Sequence, residues 1–317
     1  MRTAVQVTEL NRLIKRFEEE KIVSQPMKGS CLKFIYPAPE MREMSDIDIL
    51  IGRDCMERAA EILTESGYSL ARSVKHHDIY MKKPYLVLEA HRAMYDKTVD
   101  SNQYRYFSDF SKAVLKPGCH YTYDFRPEDF YVYMLAHMAK HFYKMGCGIR
   151  NLVDIYVFRE KFASCMDREY LASELEKCGL GAFAGHMERL TEIWLGQGIW
   201  EEFYEQLFSY MLDCGIYGRD ENGIWNKFAR ESRTGRAVTR ERLKLWYYFP
   251  PLYYMSEYYP WLENRPFLLP AAWVVRAFKG ILGKKGQHKR EMLGEINSGQ
   301  IQVYQKIYRE MKLDFRR

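Results

Sequence analysis

The chain has 317 residues and a mass of 37.8 kDa, enough to bury a substantial core and to form two domains. A hydrophobic fraction of 47% and a charged fraction of 28% are ordinary for a globular protein, and low-complexity segments are absent. The net charge of +6 fits an anionic substrate, but it is too small to indicate nucleic-acid binding by itself.

The seven cysteines are scattered, odd in number and without a Cys-x-x-Cys pair. This pattern argues against a disulfide framework and a structural zinc site, and it favours a reducing compartment. The N-terminus is a charged amphipathic segment without the apolar core of a signal peptide. The most apolar late stretch, PFLLPAAWVV, is too short to span a bilayer. We therefore expect a cytoplasmic protein without a transmembrane segment.

Residues 1–115 are predicted to form a small mixed α/β domain. Apolar residues at helical spacing predict a helix over residues 4–22, and Gly29 begins a short helix that continues through CLKFIY. A further helix is predicted in DCMERAAEILTESGY. Strands are predicted in SDIDILI, in HHDIYMKK and in YLVLEAHRA, the last two joined tightly at Lys83 and Pro84.

Residues 116–317 are predicted to form an all-helical accessory domain that binds substrate. Pro117, Gly118 and Pro127 interrupt the periodicity at the boundary, and successive helical patterns follow. The helical segments are RPEDFYVYMLAHMAKHFYKM, GIRNLVDIYVFREKF, DREYLASELEKC, GAFAGHMERLTEIWL and WEEFYEQLFSYML, with others around Leu243, Trp273 and Ile301. No further strand is predicted, so the expected fold class is α+β.

Asp46 and Asp48 are unusual residues for a strand. Positions two apart on a strand point to the same face, so their carboxylates are held together and repel. A divalent cation with oxygen ligands, such as Mg²⁺, relieves that repulsion. Glu89, in the apolar run YLVLEAHRA, is positioned to supply a third carboxylate from a neighbouring strand. We expect these three residues to bind metal.

Small residues and positive charge precede the aspartates. Gly29 and Ser30 begin a helix, where a phosphate can approach backbone N–H groups at the positive end of the dipole. Lys28 and Arg42 add positive charge on either side of this stretch. An ordinary helix cap and surface charge are the alternative interpretations of these residues.

Taken together, these elements resemble a known superfamily. A Gly-Ser pair on a helix start, Asp-x-Asp on a strand and a later carboxylate are similar to nucleotidyltransferases such as DNA polymerase β and kanamycin nucleotidyltransferase. More narrowly, KGSCLKFIYPAPEMREMSDIDILI and YLVLEAHRAMYD resemble a bacterial family of uncharacterised nucleotidyltransferases. The stretches LAHMAKHF, GIRNLVDIYVF, CGIYGRDENG and FPPLYYMSEYYPWLENRPFLLPAAWVVRAF are similar to it as well.

The resemblance implies transfer of a nucleoside monophosphate from a nucleoside triphosphate to an acceptor, with release of pyrophosphate. Asp46, Asp48 and Glu89 would hold two Mg²⁺ ions, with Mn²⁺ as an alternative, and ATP is the favoured triphosphate. Lys28, Gly29 and Ser30 would grip the β- and γ-phosphates. Arg42 is a further candidate for binding the nucleotide, through its positive charge.

Four other residues are candidates for a substrate cleft: His91, His137, His141 and Arg150. His91 is two residues after Glu89 and shares its face. His137 and His141 are four apart on one helix face, a spacing that can bind zinc, but no glutamate follows the first histidine. Arg150 is also spaced for an ion pair with Asp154 on its own helix.

The stretch RAFKGILGKKGQHKR, residues 276–290, has six lysines or arginines and no acid. A solvated basic linker is the simpler interpretation, and peripheral contact with an anionic membrane surface or a polyanionic acceptor is the alternative. The aromatic segment LWYYFPPLYYMSEYYPWL is interpreted as core, with a stacking platform for a sugar or base as the alternative.

Three functions remain open at this level. The first is a Mg²⁺-dependent nucleotidyltransferase whose unidentified acceptor is a small molecule, a saccharide, a peptide or a protein rather than RNA, since no RNA-binding module is recognised. The second is a non-catalytic protein that senses nucleotide or regulates a partner. The third is a zinc hydrolase at His137 and His141, which would require bound zinc.

Overall fold

The computed structural model describes most of the chain, from the first helix to a C-terminal helix. The described residues are 2–74, 76–95, 101–107, 110–215, 240–282 and 298–313. Within them, no helix is both long enough and apolar enough to cross a membrane.

The chain divides into two compact units. The first comprises Met1–Lys140, Arg150–Gly198 and Asp314–Arg317, and the second comprises His141–Ile149 and Ile199–Leu313. The predicted domain boundary at residue 115 falls inside the first unit. A division into catalytic and accessory domains at that point stays a prediction.

The first unit is built on a five-stranded mixed sheet. Its strands are β1 (Ser24–Pro26), β2 (Ile47–Ile51), β3 (Ser69–Ser73), β4 (His77–Lys82) and β5 (Leu86–His91). Their spatial order is β1-β2-β5-β4-β3, and only the β2–β5 pair among them is parallel. The parallel pair therefore lies inside the sheet, with a neighbour on each side.

The two faces of β2 have different roles because successive side chains alternate between them. Ile47, Ile49 and Ile51 belong to the apolar core, which they share with α1 (Arg2–Glu19) and α3 (Met56–Glu65). Asp48 comes from the opposite face, although it is also buried. The helices thus fix one face of the sheet, and the other face is left for polar side chains.

Helices account for most of the remaining structure. The others are α2 (Gly29–Leu32), α4 (Ser101–Tyr106), α5 (Pro127–Met145), α6 (Arg150–Phe162), α7 (Arg168–Lys177), α8 (Gly181–Leu195), α9 (Glu202–Asp213), α10 (Arg240–Tyr248), α11 (Leu252–Tyr258), α12 (Leu269–Leu282) and α13 (Ser298–Met311). The α+β class is confirmed, with a mixed α/β N-terminal region followed by a mostly helical part.

The expectation that no strand follows residue 100 was wrong. Ala113–Leu115 and Tyr123–Phe125 pair antiparallel as β6 and β7, and Thr122 forms a parallel bridge to Ser24 beside β1. Each strand has three residues, too few for the sequence alternation that identifies a strand. The short helix at Gly29 also ends at Leu32 rather than continuing through CLKFIY.

The second unit has an aromatic centre. Tyr210 of α9 and Tyr308 of α13 are buried, with their hydroxyl oxygens 3.1 Å apart, and Tyr308 Oη donates to the carbonyl of Phe142 at 2.7 Å. Two stretches predicted from the sequence fall largely outside the described residues. Residues 283–290 of the basic stretch and residues 216–223 of CGIYGRDENG are not among them.

Candidate functional site

The site is built by the register of the two parallel strands. Asp48 on β2 is the direct partner of Glu89 on β5, and Asp46 lies immediately before β2. An oxygen of each carboxylate lies within 4.8 Å of an oxygen of the other two. The structure therefore brings together the three carboxylates that the sequence predicted.

Lys28 provides the nearest positive charge. It caps α2 with φ of 50° and ψ of −124°, a left-handed backbone conformation that is uncommon for a residue with a side chain. Its Nζ lies 2.6 Å from Asp48 Oδ1. Burial opposes the charge on Lys28, but the Asp48 carboxylate outweighs burial and raises the pKa of the ammonium.

The two aspartates differ in their surroundings. Burial, together with the charge of Asp48, raises the pKa of the Asp46 carboxyl, although Ser45 Oγ donates a hydrogen bond to it at 2.7 Å. Burial acts against the charge of Asp48 too, but Lys28 and His91 hold its pKa below the usual range. The surroundings therefore favour the charged form of Asp48 and disfavour the charged form of Asp46.

Two histidines lie beside the acids. His91 Nε2 is 2.9 Å from Asp48 Oδ1 and 3.2 Å from Glu89 Oε2, and His77 Nε2 is 3.7 Å from Glu89 Oε1. Despite its burial, Glu89 has a lowered pKa, mainly through the hydrogen bond with His91. His91 was predicted to lie in the site. His77 was not, although the pair His76-His77 at the start of a predicted strand was a usable signal.

Gly29 and Ser30 contact residues of β2 and of the segment that leads into it. A Cβ on Gly29 would lie 3.0 Å from the Cβ of Met44, so this position accepts little more than hydrogen. Ser30 Oγ accepts a hydrogen bond from the backbone N–H of Asp48 at 3.2 Å. The predicted contact of this pair with phosphate stays a prediction, and the observed contacts fix α2 against β2.

Arg42 forms an ion pair with a carboxylate of α6. Its Nε and Nη2 donate to the two oxygens of Asp154 at 2.7 and 2.9 Å, and Tyr36 Oη donates to the same carboxylate at 2.6 Å. Asp154 therefore pairs with Arg42, whereas its expected partner Arg150 donates to the carbonyl of Glu43 at 3.4 Å. Binding of phosphate by Arg42 stays a prediction.

His137 and His141 are not brought to the carboxylates by any contact described for them. His137 belongs to the first unit, with its ring 6.4 Å from that of Tyr133, and His141 belongs to the second. Among the described residues, neither histidine is in a group of three potential metal ligands. The described geometry gives no support to a zinc hydrolase there, and the role of these residues in substrate binding stays a prediction.

A cavity of about 470 Å³ lies next to α2 within the first unit. Ser30 and Cys31 line it together with the lysines Lys116 and Lys161 and the acid Asp124. Most of its remaining wall is aromatic or aliphatic, and the aromatic residues are Phe34, Tyr123, Phe125, Phe130, Phe158 and Phe162. Because Ser30 contacts Asp48, one short helix contributes both to the acid cluster and to this cavity.

A mixed sheet with three carboxylates on two adjacent parallel strands is the arrangement that the resemblance to nucleotidyltransferases implies. The model of a family described as "Uncharacterised nucleotidyltransferase" matches residues 1–196. The chain belongs to this family. No match was found among curated proteins. The matched residues include every carboxylate and histidine of the site.

Proposed function

We propose that this protein is a Mg²⁺-dependent nucleotidyltransferase that moves a nucleoside monophosphate from a nucleoside triphosphate, ATP by preference, to an acceptor hydroxyl. The convergence of Asp46, Asp48 and Glu89 within 4.8 Å carries this proposal. In the reaction, the acceptor oxygen forms a bond to the α-phosphorus and the bond from that phosphorus to pyrophosphate breaks. The proton of the hydroxyl passes to a base at the site.

The donor set fits Mg²⁺. Three carboxylates offer only oxygen ligands, which Mg²⁺ prefers, and they share a site that already contacts a cation, since the ammonium of Lys28 lies 2.6 Å from Asp48 Oδ1. Bound Mg²⁺ supplies charge neutralisation on the triphosphate and lowers the pKa of the attacking hydroxyl. Mn²⁺ has similar ligand preferences and is the alternative ion.

The other residues hold the acids in position. The hydroxyl of Ser30 fixes the backbone of Asp48, and His91 contacts the carboxylates of both Asp48 and Glu89. Lys28 neutralises Asp48 in the absence of substrate, and its ammonium is within reach of a triphosphate bound beside that residue. Gly29 allows Met44 to pack closely against the start of α2, since a Cβ at this position would lie 3.0 Å from the Cβ of Met44.

The acceptor is proposed to be a small molecule, and the cavity beside α2 supports this choice. Its volume of about 470 Å³ suits a single drug-sized molecule. Its wall combines aromatic rings with two lysines, Lys116 and Lys161. A saccharide or a peptide segment is the next candidate, and RNA is the least favoured acceptor.

The test is transfer of label from each α-³²P-labelled nucleoside triphosphate to acceptors in a cell extract. We expect Mg²⁺-dependent transfer that falls at least about a thousandfold in Asp46→Asn and in Asp48→Asn, since each change removes a charge that holds the metal. Addition of EDTA should abolish it. The exposed Asp54, outside the site, gives the matched control Asp54→Asn, which should keep full activity.

Transfer that persists in Asp48→Asn would overturn the proposal. Nucleotide binding by calorimetry separates the alternative function from this one. Tight binding without metal, together with no transfer to any acceptor, would identify a nucleotide sensor instead.

A further inference from the structure

Two histidines and a glutamate form a second group of potential metal ligands in the first unit. His77 on β4 is the direct antiparallel partner of His91 on β5, and Glu89 is two residues before His91. Partners across a ladder, and residues two apart on one strand, point to the same face of a sheet. The register of two neighbouring strands therefore assembles all three side chains.

The distances between the three side chains suit a shared ion. One potential ligand atom of each lies within 4.8 Å of the other two. Nε2 of His91 is 3.2 Å from one carboxylate oxygen of Glu89, and Nε2 of His77 is 3.7 Å from the other. The two imidazole rings are 4.9 Å apart between centroids.

Burial makes these histidines unusual. The side chains of His77 and His91 are 14% and 3% exposed, and the Nδ1 atom of each is buried without a hydrogen-bond partner among the described residues. A buried imidazole is costly unless its polar atoms are bound, and the contacts described for both rings are made through Nε2, the nitrogen that faces Glu89. Packing alone would be served better by apolar side chains at these two positions.

We propose that His77, Glu89 and His91 bind a divalent first-row transition-metal ion, in the range from Fe²⁺ to Zn²⁺. Imidazole nitrogens suit these ions, whereas Mg²⁺ prefers oxygen ligands alone. Two histidines and one carboxylate leave further coordination positions open for water or a substrate oxygen. This metal site is separate from the proposed transfer reaction. The ion would bind in the absence of nucleotide, and its binding does not depend on whether transfer occurs.

The position of this site relative to the aspartates follows from shared residues. Glu89 belongs to both groups of ligands, and His91 Nε2 also lies 2.9 Å from Asp48 Oδ1. An ion held by the histidines is therefore adjacent to the all-oxygen site. Asp46 belongs only to the oxygen group and His77 only to the histidine group, so the two sites can be separated by mutation.

The experiment titrates metal-stripped, full-length protein with Co²⁺ and with Mg²⁺ in the absence of nucleotide, followed by calorimetry and by visible absorption of Co²⁺. We expect His77→Gln to weaken Co²⁺ binding at least about tenfold and to leave Mg²⁺ affinity unchanged. Asp46→Asn should do the reverse. The exposed His120 gives the matched control His120→Gln, which should affect neither ion.

Absence of Co²⁺ binding to the wild-type protein, or equal Co²⁺ affinity in folded His77→Gln, would overturn the proposal. Circular dichroism establishes whether the variant is folded. If it is not, pulsed electron paramagnetic resonance of Cu²⁺ bound to the wild-type protein decides, since ligated imidazole gives a nitrogen coupling. A spectrum without that coupling would exclude the site. Transfer measured with Mg²⁺ alone is independent of this outcome.

Discussion

Among the described arginine and lysine ion pairs of the first unit, the pair between Arg42 and Asp154 is the most completely buried. The two side chains are 8% and 2% exposed, and the carboxylate receives three hydrogen bonds from Arg42 and Tyr36. Removing one partner of such a pair leaves an uncompensated charge in a dry environment. The contact joins the loop before β2 to α6, so it also positions the start of the strand that carries Asp48.

Asp154→Ala is therefore expected to lower the free energy of unfolding by about 3–5 kcal/mol, because it strands the guanidinium of Arg42. The measurement is urea denaturation monitored by circular dichroism. Arg58→Ala, which removes solvent-exposed pairs with Glu20, Glu61 and Glu65, is the control and should cost much less stability. Equal losses of unfolding free energy in the two variants would show that the buried pair contributes no more to stability than the surface pairs do.

At this scale the sequence predicts some contacts and not others. Asp46 and Asp48 could be placed together because strand periodicity is local. Glu89 was placed with them because its strand could lie beside theirs and the resemblance implied a third carboxylate. The pairing of Arg42 with Asp154 spans 112 residues and leaves no periodic signal. His77 was not assigned to the site either: the adjacent histidines at the start of a predicted strand mark a candidate, but its place beside His91 depends on the cross-strand register.

At the scale of elements, Glu174 links three parts of the first unit. It is a buried residue of α7 that accepts hydrogen bonds from Lys112, at 2.7 Å, from Tyr106 of α4 and from Lys177. Burial acts against its charge, but these donors, Lys112 foremost, lower the pKa of Glu174 to about 2. The carboxylate is consequently more acidic in the folded chain than in the unfolded one.

A depressed folded pKa stabilises the protein at a pH above the unfolded value, near 4.5, and the contribution is lost as the pH falls towards 2. Between pH 6 and pH 2.5 the wild-type protein should lose up to about 3 kcal/mol more stability than Glu174→Gln, which cannot titrate. Denaturation curves across this pH range provide the measurement. The exposed Glu169 of the same helix gives the control Glu169→Gln, and parallel curves for Glu174→Gln and wild type would refute the expectation.

The strands show why some elements were predicted and others were not. β2 and β5 carry long apolar runs because both of their faces are covered, and such runs are recognisable. β3 is a fully exposed edge strand with the sequence SLARS, and β1 has three residues. β1 and β3 form because each pairs with a neighbouring strand. That pairing is a tertiary interaction, which the local sequence does not indicate.

For the whole molecule, the sequence predicts the fold class better than it predicts where the chain divides into compact units. Helical periodicity in residues 127–213 is local and was sufficient to place α5 to α9, whereas the grouping of helices depends on which apolar faces meet. The first unit extends to Gly198, close to the end of the family match at residue 196. The described side chains of the proposed metal sites all belong to this unit.

A substitution in the second unit tests whether the proposed metal sites depend on the first unit alone. Phe142 is fully buried there against Tyr210 and Tyr308, so Phe142→Ala should lower the free energy of unfolding by about 3–5 kcal/mol. The affinity of the folded protein for Mg²⁺, measured by calorimetry, should not change. Phe249→Ala, at a position 53% exposed, is the control with a smaller loss of stability. A large fall in Mg²⁺ affinity would show that the second unit contributes to the site.

The contact between Lys28 and Asp48 has a consequence for how the protein matures. A newly made chain can complete this sheet before any inorganic ion arrives, because the ammonium serves as an internal counterion. Under the proposed function, binding of a metal ion is then an exchange of one cation for another rather than a step of folding. A chelator should therefore abolish the activity of such a protein without unfolding it.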